Sequence, residues 1–166
     1  MAVKNLLGIT LLLSLSCVAR ADEGGGPQVG KLVPNLIGRT LDDKPYLLKR
    51  DIGMPKVIDF FWVKCEPCRA EMPELGKLAR RFKGVKFIAV HAEDEPAAVV
   101  ASFVKSLPDA PPNIVLTQGE LRDLFNYVGL PHTIVLDSNN VVLMNLVGYT
   151  QNNMRELTSQ LQKMEK

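Results

Sequence analysis

Apolar residues along the chain alternate between continuous runs and helical spacings. Residues 56–63 form a β-branched and aromatic run with Asp59 in its middle, a pattern typical of a central strand covered on both faces. Residues 69–83 place apolar side chains at helical spacing, and Gly84 follows as a stop. Residues 85–90 form a second apolar run. This order predicts a strand–helix–strand unit.

The rest of the chain predicts further strands and helices. In order, they are a hairpin within residues 36–48 that turns at 42–45, a helix over 94–107 capped by Asp94, a strand at 114–116, a helix over 120–128, strands at 133–136 and 141–147, and a helix over 152–163. Strands that alternate with helices and end in a hairpin and a last helix indicate a mixed sheet with helices on both faces. The predicted class is α/β.

The N-terminus has the layout of a cleavable export signal. Lys4 precedes an apolar run at residues 6–19, and small residues flank Arg20 before Asp22. The run has 14 positions, whereas a membrane span needs about 20 apolar residues. We therefore expect residues 1–21 to be removed, with no stable membrane insertion afterwards.

The remaining chain divides into a short tether and one domain. Cys17 lies inside the predicted signal and offers the alternative of a lipoprotein, although Ser14 stands where lipid-attachment sites usually carry a large aliphatic residue. Residues 22–28 are rich in glycine and predict a flexible tether. Residues 29–166 then form the predicted domain.

Charge and cysteine content narrow the function classes. Without the predicted signal the chain has 18 basic and 18 acidic residues, so nothing favours a nucleic-acid or anionic-membrane partner. A chain of about 145 residues buries enough apolar surface to fold without disulfide staples. The two cysteines that remain, Cys65 and Cys68, are therefore expected to carry chemistry.

Cys65 and Cys68 stand where the first predicted strand passes into the helix. Free N–H groups and the dipole of a helix N-terminus stabilise a thiolate. Cys65 is then the exposed nucleophile, and Cys68 is the shielded thiol that resolves a mixed disulfide. Pro67 fits an early helical position, where its missing N–H costs nothing. The pair itself is the expected redox centre, without a further cofactor or a metal.

A structural disulfide and half of a zinc site are the alternatives for such a pair. Tetrahedral zinc needs two more ligands, and the candidates His91 and His132 each stand alone. Covalent haem attachment needs a histidine after the second cysteine, where this chain has Arg69. An iron–sulfur cluster needs more cysteines. These patterns favour redox chemistry.

Two residues outside the pair are candidates for the same site. Asp59 lies in a strand that should be buried, where a carboxylate is costly unless it is neutralised or hydrogen-bonded. We interpret Asp59 as an acid of raised pKa that takes the proton of Cys68, with a solvent-facing edge position as the alternative. Pro131 is a candidate cis proline whose loop offers the Leu130 backbone to a substrate peptide. An ordinary trans turn is its alternative.

At these residues the chain resembles the thioredoxin superfamily, and within it the exported TlpA/ResA-like thiol–disulfide reductases. The resemblance runs from Val29 to the final helix and rests on Asp59, Cys65-Glu66-Pro67-Cys68, Pro73 and Leu130-Pro131-His132-Thr133. It implies a thioredoxin fold with an N-terminal hairpin and an inserted strand–helix element.

The same resemblance implies roles for further residues. Glu71 becomes a candidate active-site acid, with an exposed first-turn helix position as the alternative. Trp62 precedes the cysteines, and Glu66 and Pro67 lie between them. With the Leu130–Pro131 loop, these residues are expected to contact the partner protein.

Two positions depart from the superfamily pattern. Lys64 stands where thioredoxins commonly have tryptophan, and a cation there favours the Cys65 thiolate while Glu66 opposes it. His132 is either a pH-dependent charge beside the site or simply an exposed residue. His91 is interpreted as structural.

The resemblance implies an extracytoplasmic, periplasmic-type dithiol reductant that acts on protein disulfides. The expected partners are apocytochrome c or metal-site assembly proteins as substrates, and a membrane dithiol donor that recharges the pair. A disulfide oxidant or isomerase and a non-catalytic partner-binding domain are the alternatives. A thiol peroxidase is disfavoured because no Thr-x-x-Cys loop precedes the central helix.

Overall fold

The computed structural model of the chain describes residues 25–117 and 121–165. Its elements, in chain order, are β1 (Ile37–Thr40), β2 (Pro45–Leu47), a 3-10 turn (Leu48–Arg50), β3 (Lys56–Phe61), α1 (Glu66–Arg81), β4 (Lys86–His91), α2 (Ala97–Lys105), β5 (Asn113–Leu116), α3 (Leu121–Phe125), β6 (His132–Leu136), β7 (Val142–Val147) and α4 (Gln151–Met164). The predicted signal, with Cys17, lies outside the described residues. Within those residues, no helix has the length and apolar character to cross a membrane.

The seven strands form one mixed sheet in the order β2-β1-β5-β4-β3-β6-β7. Strand β4 runs parallel to both β3 and β5, and the other neighbouring pairs are antiparallel. All six residues of β3 are buried, as predicted for a strand with neighbours on both sides. The α/β class and the N-terminal hairpin are confirmed.

The two faces of the sheet carry separate apolar clusters. Ile58 and Phe60 face a cluster that includes Phe125 of α3. Val57 and Phe61 face the other side, where α1, α2 and α4 pack. Because successive residues of a strand point to opposite faces, Asp59 faces the α1 side.

Helix α1 begins at Glu66 with Cys65 as its N-cap residue and ends at Arg81. The apolar spacing predicts an end at residue 83, two residues too late. Phe82 is the reason, because its side chain is fully buried although the residue follows the helix. An apolar side chain can extend the helical pattern without belonging to the helix.

Helix α2 does not begin at the predicted cap. It starts at Ala97, after Pro96, and no side chain caps it. A proline disfavours helical backbone at the residue before it, so Glu95 cannot start the helix. The prediction of Asp94 as the cap is wrong.

Helix α3 ends earlier than its apolar pattern predicts. Its last residue is Phe125, and Asn126 has a φ of 50°, the left-handed backbone that commonly terminates a helix. Val128, which the pattern assigned to the buried face, is 62% exposed.

The glycine-rich segment before the domain packs on it instead of forming a tether throughout. Gly25 makes a β-bridge with Tyr127, and the Gly26 N–H donates to the Asn126 carbonyl at 2.6 Å. A Cβ at Gly26 would lie 2.7 Å from His132 Nε2. The absence of a side chain, which indicated flexibility, is what allows this close approach. The prediction of a flexible tether over residues 22–28 is therefore wrong for residues 25–27, which pack on the domain.

Candidate active site at the Cys65–Cys68 disulfide

The cysteines lie at the junction of the central strand and the first helix. Strand β3 ends at Phe61, and the Cys65 N–H donates to the Trp62 carbonyl at 3.0 Å, which turns the chain into α1. Cys65 Sγ accepts a hydrogen bond from the Cys68 N–H at 3.2 Å. The first sulfur therefore receives one of the free N–H groups of the helix N-terminus, as predicted.

The two sulfurs are bonded to each other and differ in exposure. The Cys65–Cys68 S–S distance is 1.97 Å. Cys65 is partly exposed, whereas Cys68 is completely buried in the cluster that includes Phe61 and Met72. A partner can reach Cys65, and Cys68 can react only from inside the domain. This is the arrangement expected of an attacking and a resolving cysteine.

Two buried carboxyl groups face the same side of the sheet. Asp59 is 1% exposed and Glu71 is 2% exposed. The Thr133 hydroxyl lies 3.4 Å from Asp59 Oδ1 and 3.3 Å from Glu71 Oε1. The structure thus brings both predicted acids together, and the alternatives of a solvent-facing Asp59 and an exposed Glu71 are wrong.

Burial changes the acidity of both carboxyls. It raises the pKa of Asp59 well above the ordinary value, and the charge of Glu71 adds to this rise. Burial also raises the pKa of Glu71 to about 7. The hydrogen bond from Thr133 opposes the increase of the pKa in both groups. Burial therefore favours the protonated form of both acids.

Sequence reasoning missed Thr133 as a site residue. It belongs to the motif after the predicted cis proline, but nothing in that motif assigned it a role. The pairing of the strands places it at the site, because Thr133 of β6 lies directly opposite Asp59 of β3 in the antiparallel register. Residues directly opposite in a ladder point to the same face.

The loop before β6 lies against the disulfide region. The Leu130–Pro131 peptide bond is cis, as predicted. Leu130 packs on the cluster that contains Cys68, and Cys65 packs on the same cluster. The loop and Cys65 thus pack on the same apolar cluster, which contains the second sulfur.

Lys64, the residue before Cys65, forms an ion pair with an acid from a distant segment. Its Nζ lies 2.9 Å from Glu95 Oε1 and 5.2 Å from the centre of the Trp62 ring. The lysine lowers the pKa of Glu95. The cation that the sequence placed next to Cys65 is therefore partly compensated by an acid that follows β4. Glu66 and Pro67, on the other side of Cys65, are exposed.

Neither histidine lies at the site as a free charge. His132 is fully buried against Phe60 and Tyr127, on the face opposite Cys68, and burial lowers its pKa. It is neither the exposed residue nor the charge beside the cysteines that its sequence position suggested. His91 is 1% exposed, and its Nδ1 lies 2.9 Å from the Glu93 carbonyl oxygen. Across the described ranges, no cluster of three or more Cys, His, Asp or Glu residues is arranged to hold a metal.

A groove of about 980 Å³ separates the β1–β2 hairpin from the loop before α2. Leu41, Pro96 and Leu116 line it, together with Glu95, the partner of Lys64. Neither cysteine is among its lining residues. The groove therefore does not include the disulfide, and the Glu95–Lys64 pair connects its lining to the residue before Cys65.

Comparisons with known proteins agree with this geometry. The sequence profile of the Redoxin family matches residues 28–161. The thiol-disulfide oxidoreductase ResA of Bacillus thuringiensis subsp. konkukian is 30% identical over 123 residues, which cover 73% of this chain and 70% of ResA. ResA of Bacillus cereus strain ZK is 29% identical over 82% of this chain and 79% of its own length.

A solved structure shares the fold. It is the crystal structure of a candidate thiol:disulfide interchange protein DsbE from Chlorobium tepidum, with a TM-score of 0.75 and 22% identity. The match covers 82% of this chain and 97% of that one.

The buried carboxyls should make stability depend on pH. Because their pKa values are higher in the folded than in the unfolded protein, the folded state holds more protons from the ordinary value of 4.5 for glutamate up to about 7. Stability is therefore expected to fall as pH rises through this window. Glu71→Gln should stabilise the oxidised protein by roughly 1–3 kcal/mol at about pH 8 and by much less at about pH 5, measured by urea unfolding.

Glu74→Gln is the matched control, because Glu74 is a more exposed glutamate on the same helix. It should change stability little at either pH. An equal effect of Glu71→Gln at both pH values would contradict the raised pKa.

The pairing of Lys64 with Glu95 predicts opposite effects on Cys65. Lys64→Gln should lower the thiolate fraction of the reduced protein near neutral pH, because a favourable cation is lost. Glu95→Gln should raise that fraction, because it removes the charge that compensates Lys64. The ultraviolet absorbance of the thiolate, followed across pH, measures both. Both effects on the thiolate fraction should become smaller at high salt, which screens exposed charges. If the two variants changed the thiolate fraction in the same direction, the ion pair would not act on Cys65.

Proposed function

This chain belongs to the Redoxin family and is a ResA-like thiol-disulfide oxidoreductase of the thioredoxin superfamily, and we propose that it acts outside the cytoplasm as a dithiol reductant of partner-protein disulfides. The observation that carries the proposal is the asymmetry of the pair. Cys65 is partly exposed and receives a helix N–H, while Cys68 is fully buried. One sulfur is placed for attack, and the other for resolution.

The proposed reaction is a two-step exchange. The Cys65 thiolate attacks one sulfur of the partner's disulfide, and the other partner sulfur leaves with the electron pair of the broken bond. Cys68 then loses its proton and attacks Cys65 Sγ, which releases the second partner sulfur. The partner gains two electrons and two protons in total, and Cys65 and Cys68 end as a disulfide.

The two buried acids fit the second step of this reaction. A buried thiol needs a base to remove its proton, and a base works best when its pKa lies near the working pH. Glu71 stands three residues after Cys68 on the same helix, so the two side chains share a helix face. Its raised pKa, about 7, suits it to accept and release a proton there. Asp59 is proposed as the second member of this base.

The Leu130–Pro131 loop is the proposed contact for an extended segment of the partner. Leu130 packs on the same cluster as Cys65, and backbone groups of such a loop can pair with a peptide in β fashion. Trp62, Glu66 and Pro67 border the same sulfur and are proposed as the remainder of this contact surface.

The place in the cell and the partners are inferred from sequence. The signal-like N-terminus supports export to the periplasm or an equivalent compartment. The resemblance to ResA-like reductases supports apocytochrome c or metal-site assembly proteins as substrates, and a membrane dithiol donor as the source of electrons. In this proposal the pair itself is the redox centre, and no separate cofactor is needed.

Trapping the mixed disulfide tests the exchange reaction. Cys68→Ser should accumulate a covalent adduct with a peptide that contains an internal Cys-x-x-Cys disulfide, because the resolving thiol is missing. Mass spectrometry under non-reducing conditions should place the link on Cys65. Cys65→Ser is the matched control and should trap nothing, since the buried Cys68 cannot reach the peptide. A Cys68→Ser protein that traps no peptide would indicate a non-catalytic binding domain.

The direction of electron flow is tested by the reduction potential of the pair. We expect a value nearer to about −270 mV than to about −120 mV, the range over which proteins of this fold vary. The reason is that Glu95 pairs with Lys64 and so reduces the stabilisation of the Cys65 thiolate, which makes the reduced form less stable. Equilibration with glutathione buffers measures it, and a value near the upper limit would mean that the protein is an oxidant.

A further inference from the structure

The Thr133 hydroxyl lies between two buried carboxyl groups on different elements. Strand β6 places Thr133 opposite Asp59 of β3, and α1 brings Glu71 to the same hydroxyl. The two oxygen–oxygen distances, 3.4 and 3.3 Å, are nearly equal. Among the described residues, Asp59 Oδ2 and Glu71 Oε2 have no hydrogen-bond partner.

One hydroxyl can form hydrogen bonds with both carboxyl groups only in certain protonation states. A threonine hydroxyl has one hydrogen to donate and can accept from other donors. If both carboxyls were ionised, Thr133 could satisfy only one of them. If one carboxyl is protonated, it can donate to Thr133 Oγ1, which then donates to the other carboxylate. The chain of two hydrogen bonds is complete when Asp59 and Glu71 hold one proton between them.

Among the described residues, no ion pair compensates the charge of these two carboxyl groups. On β4, Ala89 lies opposite Asp59, and on β7, Leu146 lies opposite Thr133. On this side of the sheet, Cys68 of α1 is buried, and His91 of β4 packs its ring on Phe61. Within residues 25–117 and 121–165, no lysine, arginine or histidine forms an ion pair with either carboxylate.

We propose that Thr133 is a positioning residue that couples Asp59 and Glu71 into a single proton acceptor for the Cys68 thiol. This inference rests on the proposed function. In the resting pair the Asp59 O–H donates to Thr133, and Thr133 donates to the Glu71 carboxylate.

The resolution step moves one proton and one electron pair within the domain. The Cys68 proton passes to the Glu71 carboxylate, and the Cys68 electron pair forms the bond to Cys65 Sγ. The bond between Cys65 and the partner sulfur breaks, and that sulfur leaves with the electron pair and takes a proton from solvent. Thr133 keeps its own proton in this step. Its hydroxyl holds the acceptor oxygen of Glu71 in place and favours the charged form of that carboxyl group.

A matched pair of substitutions separates this role from simple packing. Thr133→Val keeps the volume and the branched Cβ but removes the hydroxyl, whereas Thr133→Ser keeps the hydroxyl. With a disulfide peptide as the probe, resolution by Thr133→Val should slow by about tenfold near neutral pH, the effect of one lost hydrogen bond to a charged group. Its pH profile should move to higher pH, since the donor that lowers the pKa of both acids is gone.

The first step and the serine variant supply the controls. Attack by Cys65, measured in the Cys68→Ser background, should proceed at the same rate with valine or threonine at position 133. Thr133→Ser should resolve nearly as fast as the unaltered protein, with an unchanged pH profile. Valine and serine variants that resolve equally fast, or that slow attack and resolution alike, would overturn the proposal.

Carbon-13 NMR of the carboxyl groups in the unaltered, oxidised protein gives a test that needs no variant. Coupled acids should titrate together in two steps that each appear at both Asp59 and Glu71. Independent single-step titrations would overturn the coupling. If the unaltered protein does not exchange with the peptide at all, the proposed function fails, and the NMR titration still decides whether Thr133 couples the acids.

Discussion

The structure depends on the junction at which a fully buried strand ends and a helix begins. Strand β3 holds the chain in the centre of the sheet as far as Phe61, and four residues later Cys65 receives a backbone N–H from the first turn of α1. A helix N-terminus offers hydrogen-bond donors and a partial positive charge at one point in space. The sulfur at this point is therefore both accessible and electrostatically favoured as an anion, and the second sulfur is buried one turn further on.

The same junction explains why two acids are tolerated in the interior. Asp59 lies on the strand and Glu71 on the helix that leaves it, so the β3–α1 connection brings both toward the buried face of the sheet. Isolated buried carboxylates cost several kcal/mol, and here the only side-chain donor identified for them within the described residues is one hydroxyl. Sites that lower stability in this way are expected where the chemistry requires a perturbed acid.

The surroundings of Cys65 are shaped by segments far apart in sequence. The acid that pairs with Lys64 comes from the loop before α2, and the cis loop at Leu130 comes from the connection between α3 and β6. Cys65 is partly exposed and is not among the lining residues of the groove at the β1–β2 hairpin. This geometry suits an encounter with the surface of another protein more than capture of a small molecule.

The sequence by itself determined the central strand, the helix after it and the position of the two cysteines at their junction, because these follow from short-range periodicity and from the chemistry of a helix N-terminus. It also indicated Asp59 as a buried acid, since a carboxylate in the middle of an apolar strand is carried into the interior with its neighbours. Helix ends were less predictable: Phe82 extends the helical pattern past the last helical residue, and Pro96 overrides the cap expected at Asp94.

Only the tertiary structure decided what each site residue faces. The pairing of β3 with β6 places Thr133 opposite Asp59, the strand alternation sends His132 to the other face, and the fold returns Glu95 to Lys64. It also showed that residues 25–27 pack on the domain, because glycine permits a close approach as well as flexibility. Such contacts depend on strand register and on long-range packing, and local patterns in a single sequence carry no information about either.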